Sequence, residues 1–142
     1  MRDSSKEVLY SPMDEARRYV GNARQTLKEN GRLNVEFHEY EDRKYVRAAG
    51  HYLLHAVYIA IDAVFHVKNN PNRVDIDDYR SAVRNRDKKL LSLLNQAYDI
   101  LHLGMGYDGV QNKTVCDEGF LLANEIIDRC SHLISNSECG TE

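Results

Sequence analysis

The stretch from Asp42 to Lys68 contains no proline and repeats apolar residues at helical spacing: Val46, Ala49, Leu53, Leu54, Ala56, Val57, Ala60, Ile61, Ala63, Val64 and Phe65. At ~100° per residue these side chains cover about 200° of a helical wheel. A helix lying on a protein surface needs a much narrower apolar stripe. This one must be covered from several sides, so it predicts the central helix of a bundle. The rest of the chain has to supply the cover.

The other segments are suited to that task. Ser11-Pro12-Met13-Asp14 reads as a helix start, with Ser as N-cap, Pro at the first helical position and an acid in the first turn. Met13, Ala16, Val20, Ala23 and Leu27 then form a narrow apolar stripe, and Gly31 is expected to stop the helix. Residues 31–41 show no helical pattern and are expected to be a connection. Asp75 is a plausible N-cap for a third helix that turns Ile76, Tyr79, Ala82 and Val83 inward. The polar run Arg84-Asn85-Arg86-Asp87-Lys88-Lys89 keeps the helical phase on both sides. It leaves a charged gap on the inward face, which favours a break near Asn85–Asp87. Leu90, Leu91, Leu93, Leu94, Ala97, Tyr98, Ile100 and Leu101 build the next amphipathic helix. Three glycines between Gly104 and Gly109 are expected to end it in a tight turn. The last helix is predicted from about Thr114 to Ser135, with Val115, Cys116, Phe120, Leu122, Ala123, Ile126, Ile127, Cys130, Leu133 and Ile134 inward.

No strand-like alternation and no internal repeat is present. The expected fold is all-α, a four- to five-helix up-and-down bundle over residues 11–135. A polar N-terminal arm (1–10) and a polar tail (136–142) flank it. A chain of 142 residues with 42% hydrophobic and 29% charged residues is enough for one such domain with a single core. Both prolines, Pro12 and Pro71, fall at segment boundaries.

Charge and cysteines narrow the functional classes. The net charge of −3 is unevenly distributed, since residues 91–142 carry 2 basic against 8 acidic groups. Indiscriminate nucleic-acid binding is therefore not expected, although a local basic patch is compatible with it. Cys116, Cys130 and Cys139 form no Cys-x-x-Cys pair, which argues against a disulfide framework or a thiolate metal site. Cys116 and Cys130 fall on the apolar face of the last helix, where a thiol behaves as a small hydrophobe. Cys139 in the tail reads as an exposed bystander. The first residues lack the apolar run of a signal peptide, and no stretch approaches ~18 uninterrupted apolar residues. The expectation is a cytoplasmic protein with no membrane contact.

Two constellations carry chemistry. On the central helix, His51, His55, Asp62 and His66 stand at i, i+4, i+11 and i+15, within about 60° of one another, with Tyr58 alongside. Imidazoles at i and i+4 can share one metal ion, and a carboxylate can orient them. His51 and Asp62 are about 16 Å apart along the axis, too far to ligate one ion together. A metal site would need His51, His55 and a ligand from another helix, with His102 the natural donor. The same strip is equally the solvated side of a buried helix. The second constellation is the basic run Arg80, Arg84, Arg86, Lys88 and Lys89, which can hold phosphates. It lacks interleaved aromatic residues and also fits a solvated helix junction. Arg17, Arg24 and Lys28 share one side of the first helix and read as solvated. The glycines of 104–109 match no phosphate-binding fingerprint, and no cofactor is expected.

The stretches Tyr45-Val46-Arg47-Ala48-Ala49-Gly50-His51-Tyr52-Leu53-Leu54-His55-Ala56 and Tyr98-Asp99-Ile100-Leu101-His102-Leu103-Gly104-Met105-Gly106-Tyr107-Asp108-Gly109 resemble parts of HEPN-type helical bundles. The first is similar to the second helix of those bundles, and the second to the region of their motif. The resemblance extends over about residues 12–135, and the chain is also similar in layout to small bacterial domains of unknown function. In HEPN ribonucleases an arginine, followed four to six residues later by a histidine, acts on the RNA backbone. The corresponding places here are His102 and Tyr107, so neither residue is kept, and tyrosine titrates near ~10. The resemblance therefore implies a non-catalytic binding or interaction module, a homodimer with a protein or RNA partner, in an RNA- or toxin–antitoxin-related setting. The alternative is a metal-binding bundle enzyme built on His51, His55 and His102.

Overall fold

Asp42 starts the central helix by accepting a hydrogen bond from the Lys44 N–H at 3.2 Å, and α2 then runs from Arg43 to Phe65. In the computed structural model, which describes residues 11–67 and 75–140 with side chains to Asn136, five α-helices and one π-helix enclose a single core. They are α1 (Pro12–Asn30), α2, α3 (Ile76–Arg84), α4 (Lys88–Ala97), the π-helix (Tyr98–Tyr107) that continues α4, and α5 (Lys113–Gly140). A two-residue hairpin, β1 (Leu33–Asn34) and β2 (Glu39–Tyr40), lies between α1 and α2. The expected arm (1–10), Lys68 to Pro71 and the side chain of Cys139 lie outside the described residues.

The wide apolar arc is covered as its width requires. α2 is packed against α1, α3, α5 and the π-helix. Val46, Ala49, Leu53, Ala56, Val57, Ala60 and Ile61 have no solvent exposure. By length and composition Arg43–Phe65 is apolar enough to cross a membrane, but its apolar face is the centre of this core. Contacts set the helix directions. Arg17 pairs with Asp128 and Arg24 lies over Phe120, so α1 and α5 run antiparallel. Arg47 meets Tyr107 and Gly50 meets Leu101, so α2 and the π-helix do too. Asp87 meets Arg129 and Leu101 meets Gly119, which makes α4 with its π extension antiparallel to α5. An up-and-down bundle results.

Helix ends show where local chemistry was sufficient. Ser11 caps α1 through Asp14 N (3.1 Å), and Met13, Ala16, Val20, Ala23 and Leu27 are its buried residues. Asp75 and Asp78 form a reciprocal capping box at the start of α3. The break between α3 and α4 falls at Asn85–Asp87, where Asp87 caps α4 through Leu90 N at 3.0 Å.

Several expectations are corrected. Gly31 does end α1, as its C-cap, but with a φ of −71° rather than in a left-handed turn, and Arg32 takes the positive φ of 54°. Glycine is needed there for space, since a Cβ would meet the Leu27 carbonyl oxygen and the Tyr40 ring within 3 Å. α2 stops at Phe65, short of Lys68, because His66 turns left-handed (φ 52°) and the Asp62 carboxylate takes the Val67 N–H at 3.0 Å. Residues 31–41 are the expected connection but contain paired strands, and the hairpin is tied to the start of α5 by Tyr40 N to Gln111 O (2.8 Å) and Lys113 N to His38 O (2.9 Å). The backbone of α5 stays helical to Gly140, past the end expected at Ser135.

The largest departure is at the glycines. Gly104 and Gly106 do not end the helix; they lie inside the π-helix, whose end is marked by the Asp108 N–H bonding Leu103 O five residues back (2.9 Å). Helix propensity is a weak prior that tertiary contact overrides. Here a Cβ on Gly50 would come within 2.8 Å of Gly106 N, Leu101 O and Met105 Cβ. The π-helix backbone can lie against α2 because Gly50 has no side chain. Among the described residues only Gly109 uses glycine's conformational freedom, at φ 64°, and a Cβ there would run into the Arg43 side chain.

Candidate functional site

The outward side of α2 carries Arg43, Arg47, His51 and His55, spaced by four residues and all exposed. That spacing keeps a helical strip on one face, and the π-helix runs beside it. Arg47 Nε donates to the Tyr107 carbonyl at 3.2 Å, and Arg43 Nη2 donates to the Gln111 side chain at 2.9 Å. These two arginines tie down the end of the π-helix and the turn after it, supplying donors to a helix end that needs them. Arg47 was not singled out from the sequence. The four-residue repeat shared with His51 and His55 was the available signal.

The histidine strip divides into two parts. His51 lies against Gly106, and the His55 ring meets Tyr19 edge-on with centroids 4.6 Å apart. Asp62 and His66 belong to the C-terminal cap of α2 described above. His102 stacks on Tyr98 at 4.7 Å and 19°. Among the described residues no three His, Cys, Asp or Glu side chains come together in a way that could hold a metal ion. His51, His55 and His102 thus do not make a three-ligand set. Tyr58 stacks on Tyr79 at 4.2 Å and 6°. Burial, with the neighbouring Tyr98 and Tyr79, pushes the Tyr58 phenol well up, and burial with the Asp62 and Asp78 carboxylates pushes Tyr79 up to about 12. Both are neutral, structural rings at physiological pH.

The basic run is dispersed by the break between α3 and α4. Arg80 turns inward, donating to Asn95 Oδ1 at 2.7 Å and to Asp77 at 3.2 Å, with its guanidinium 5.2 Å from the Tyr98 ring centre. Arg86 lies over Phe65 at 4.7 Å. Arg84, Lys88 and Lys89 remain exposed.

Nothing nucleophilic is activated among the described cysteines. Burial raises Cys116 and Cys130 to about 12, so both stay thiols. What stands out is apolar surface. Tyr107 is 74% exposed and Leu103 44%, four residues apart on the π-helix and beside the exposed acids Asp99 and Asp108. π-Helices are rare and frequently mark functional sites.

A family model described as "Domain of unknown function (DUF5618)" matches residues 11–132. Among solved structures, a protein of unknown function from Dyadobacter fermentans is 36% identical, with a TM-score of 0.76 over 87% of this chain and 95% of that one. No curated protein matches.

Proposed function

The chain belongs to the DUF5618 family, and we propose that it acts as a non-catalytic, HEPN-like interaction module that pairs with a second copy of itself. The HEPN likeness rests on residues 45–56 and 98–109, which form the two elements of the candidate face. A cytoplasmic setting goes with this reading.

The observation that carries the proposal is the exposed pair Leu103 and Tyr107 on the π-helix, next to the anchoring Arg47. Large apolar side chains left together on a surface commonly mark contact sites, and tyrosine and arginine are enriched in them. Around this pair stand both signs of charge, Arg43 and Arg47 against Asp99 and Asp108. A two-fold axis sets each patch against its own copy, so a patch holding both signs can satisfy itself. Catalysis is disfavoured because His102 is stacked on Tyr98 and the place that a histidine holds in HEPN ribonucleases is taken by an outward Tyr107. The hydrogen bonds of Arg80 to Asn95 and Asp77 take it out of the basic run, which favours protein over RNA as the partner.

Light scattering tests this directly. The wild-type chain should have the mass of a dimer, and L103K/Y107E the mass of a monomer with an unchanged circular dichroism spectrum. A monomeric wild type would overturn self-pairing. A gel shift with single-stranded RNA at low salt that survives in the monomeric variant would move the role to RNA binding.

A further inference from the structure

Outside that face, a pocket of about 340 Å³ opens between the second half of α1, the hairpin and the first turns of α5. Its inner wall is made by Leu27, Tyr40 and Phe120, all buried as residues. Arg24, Lys28 and Lys113 stand around its mouth with a single acid, Asp117. Lys113 already neutralises that acid at 2.7 Å. The Arg24 guanidinium lies 4.4 Å from the Phe120 ring centre, and neither it nor Lys28 is paired with a carboxylate among the described residues. The mouth is therefore positive on a protein whose net charge is −3. Burial pushes the Tyr40 phenol up, while the Lys113 and Arg24 cations act on it from nearby. At physiological pH it is a neutral hydroxyl, able to donate.

We propose that this pocket binds a small molecule with an apolar body and one carboxylate, such as an aromatic or branched aliphatic acid. The body fills the space against Leu27 and Phe120, and the carboxylate meets Arg24 and Lys28 with Tyr40 as a further donor. The volume is at the small end of the range for ligand pockets, about 300–1,000 Å³. Apolar walls with a few convergent polar groups are the usual lining of such sites. A phosphate would want a cradle of several fixed donors, which two flexible side chains do not make. The pocket shares no residue with the self-pairing face, so the two proposals stand or fall separately.

The probes are 3-phenylpropanoate and its neutral amide, titrated into the full chain and followed by amide NMR shifts. The acid should move the signals of Leu27, Tyr40 and Phe120 and their neighbours. The amide should bind about tenfold more weakly, the size expected for losing one charge-assisted contact. The variant R24A/K28A changes only exposed side chains and should lose a similar factor while the remaining spectrum is unchanged. L103K/Y107E should bind the acid as the wild type does. No shift at millimolar acid, equal binding of acid and amide, or unchanged binding by R24A/K28A would each overturn the site.

Discussion

Where α2 meets α1 the contact is made by side chains, and where it meets the π-helix it is made by their absence. α1 turns Met13, Ala16, Val20, Ala23 and Leu27 inward at regular helical spacing. The π-helix brings Gly106 and the Leu101 carbonyl to Gly50, with no room for a Cβ. The first contact is a matter of volume, and interdigitating side chains tolerate adjustment when volume is kept. The second is a matter of backbone, which cannot move aside without losing hydrogen bonds. Close backbone approach in turn lets Arg47 reach the end of the π-helix and leaves Leu103 and Tyr107 outside.

Mutations can sharpen or break that contrast. Leu53→Ala, at a fully buried site on α2, should cost about 3 kcal/mol in urea unfolding, from lost burial plus the cavity left behind. Gly50→Ala adds a single methyl group, yet it should cost about 2 kcal/mol by the same measurement, because backbone must shift to admit it. A Gly50→Ala variant as stable as the wild type would show that the π-helix is loosely seated, and the contrast would be gone.

Asp87 probes the junction that feeds α4 and the π-helix. Its carboxylate accepts two hydrogen bonds from Arg129 at 2.9 Å and caps Leu90. Burial alone would raise it, but the Arg129 and Leu90 donors outweigh burial and hold the carboxyl below its ordinary range. Asp87→Ala should cost about 1–2 kcal/mol near neutral pH, as lost caps do. Because the folded value is depressed, the contribution is complete above the unfolded value of about 3.9 and disappears as pH falls through the folded one. Wild type and variant should therefore converge in stability in acid. If they instead diverged, Asp87 would not be the titrating group.

The smallest expected effect has the opposite sign. Gly21 is exposed in α1, and nothing lies within 4 Å of where its Cβ would be. Gly21→Ala should gain about 0.7 kcal/mol from helix propensity, read as a raised melting temperature. Two glycines, both helical, would then respond to the same substitution in opposite directions.

Much of the framework was legible because it depends on neighbours in sequence. The inward residues of α1, the Asp75 cap and the break at Asn85–Asp87 follow from spacing and side-chain chemistry within a few turns. The candidate face was legible only in fragments. His102 and Tyr107 were marked by resemblance, and both are in the π-helix. His51 and His55 stood equally as metal ligands or as a solvated strip, and the structure leaves both exposed, with a glycine and a tyrosine as neighbours. Asp62, a candidate to orient the histidines, accepts the Val67 N–H at the end of α2. Arg47 was missed because its acceptor, the Tyr107 carbonyl, is sixty residues away in the chain.

Sequence alone determined that this protein is a helical bundle around α2, because a wide apolar arc repeating every three to four residues can be buried in only that way. Tertiary structure decided how Gly50, Gly106 and Leu101 meet, and with them the π-helix and the face it exposes. The division is physical. Periodicity acts over one or two helical turns, whereas a close approach of two backbones exists only after distant segments have been brought together.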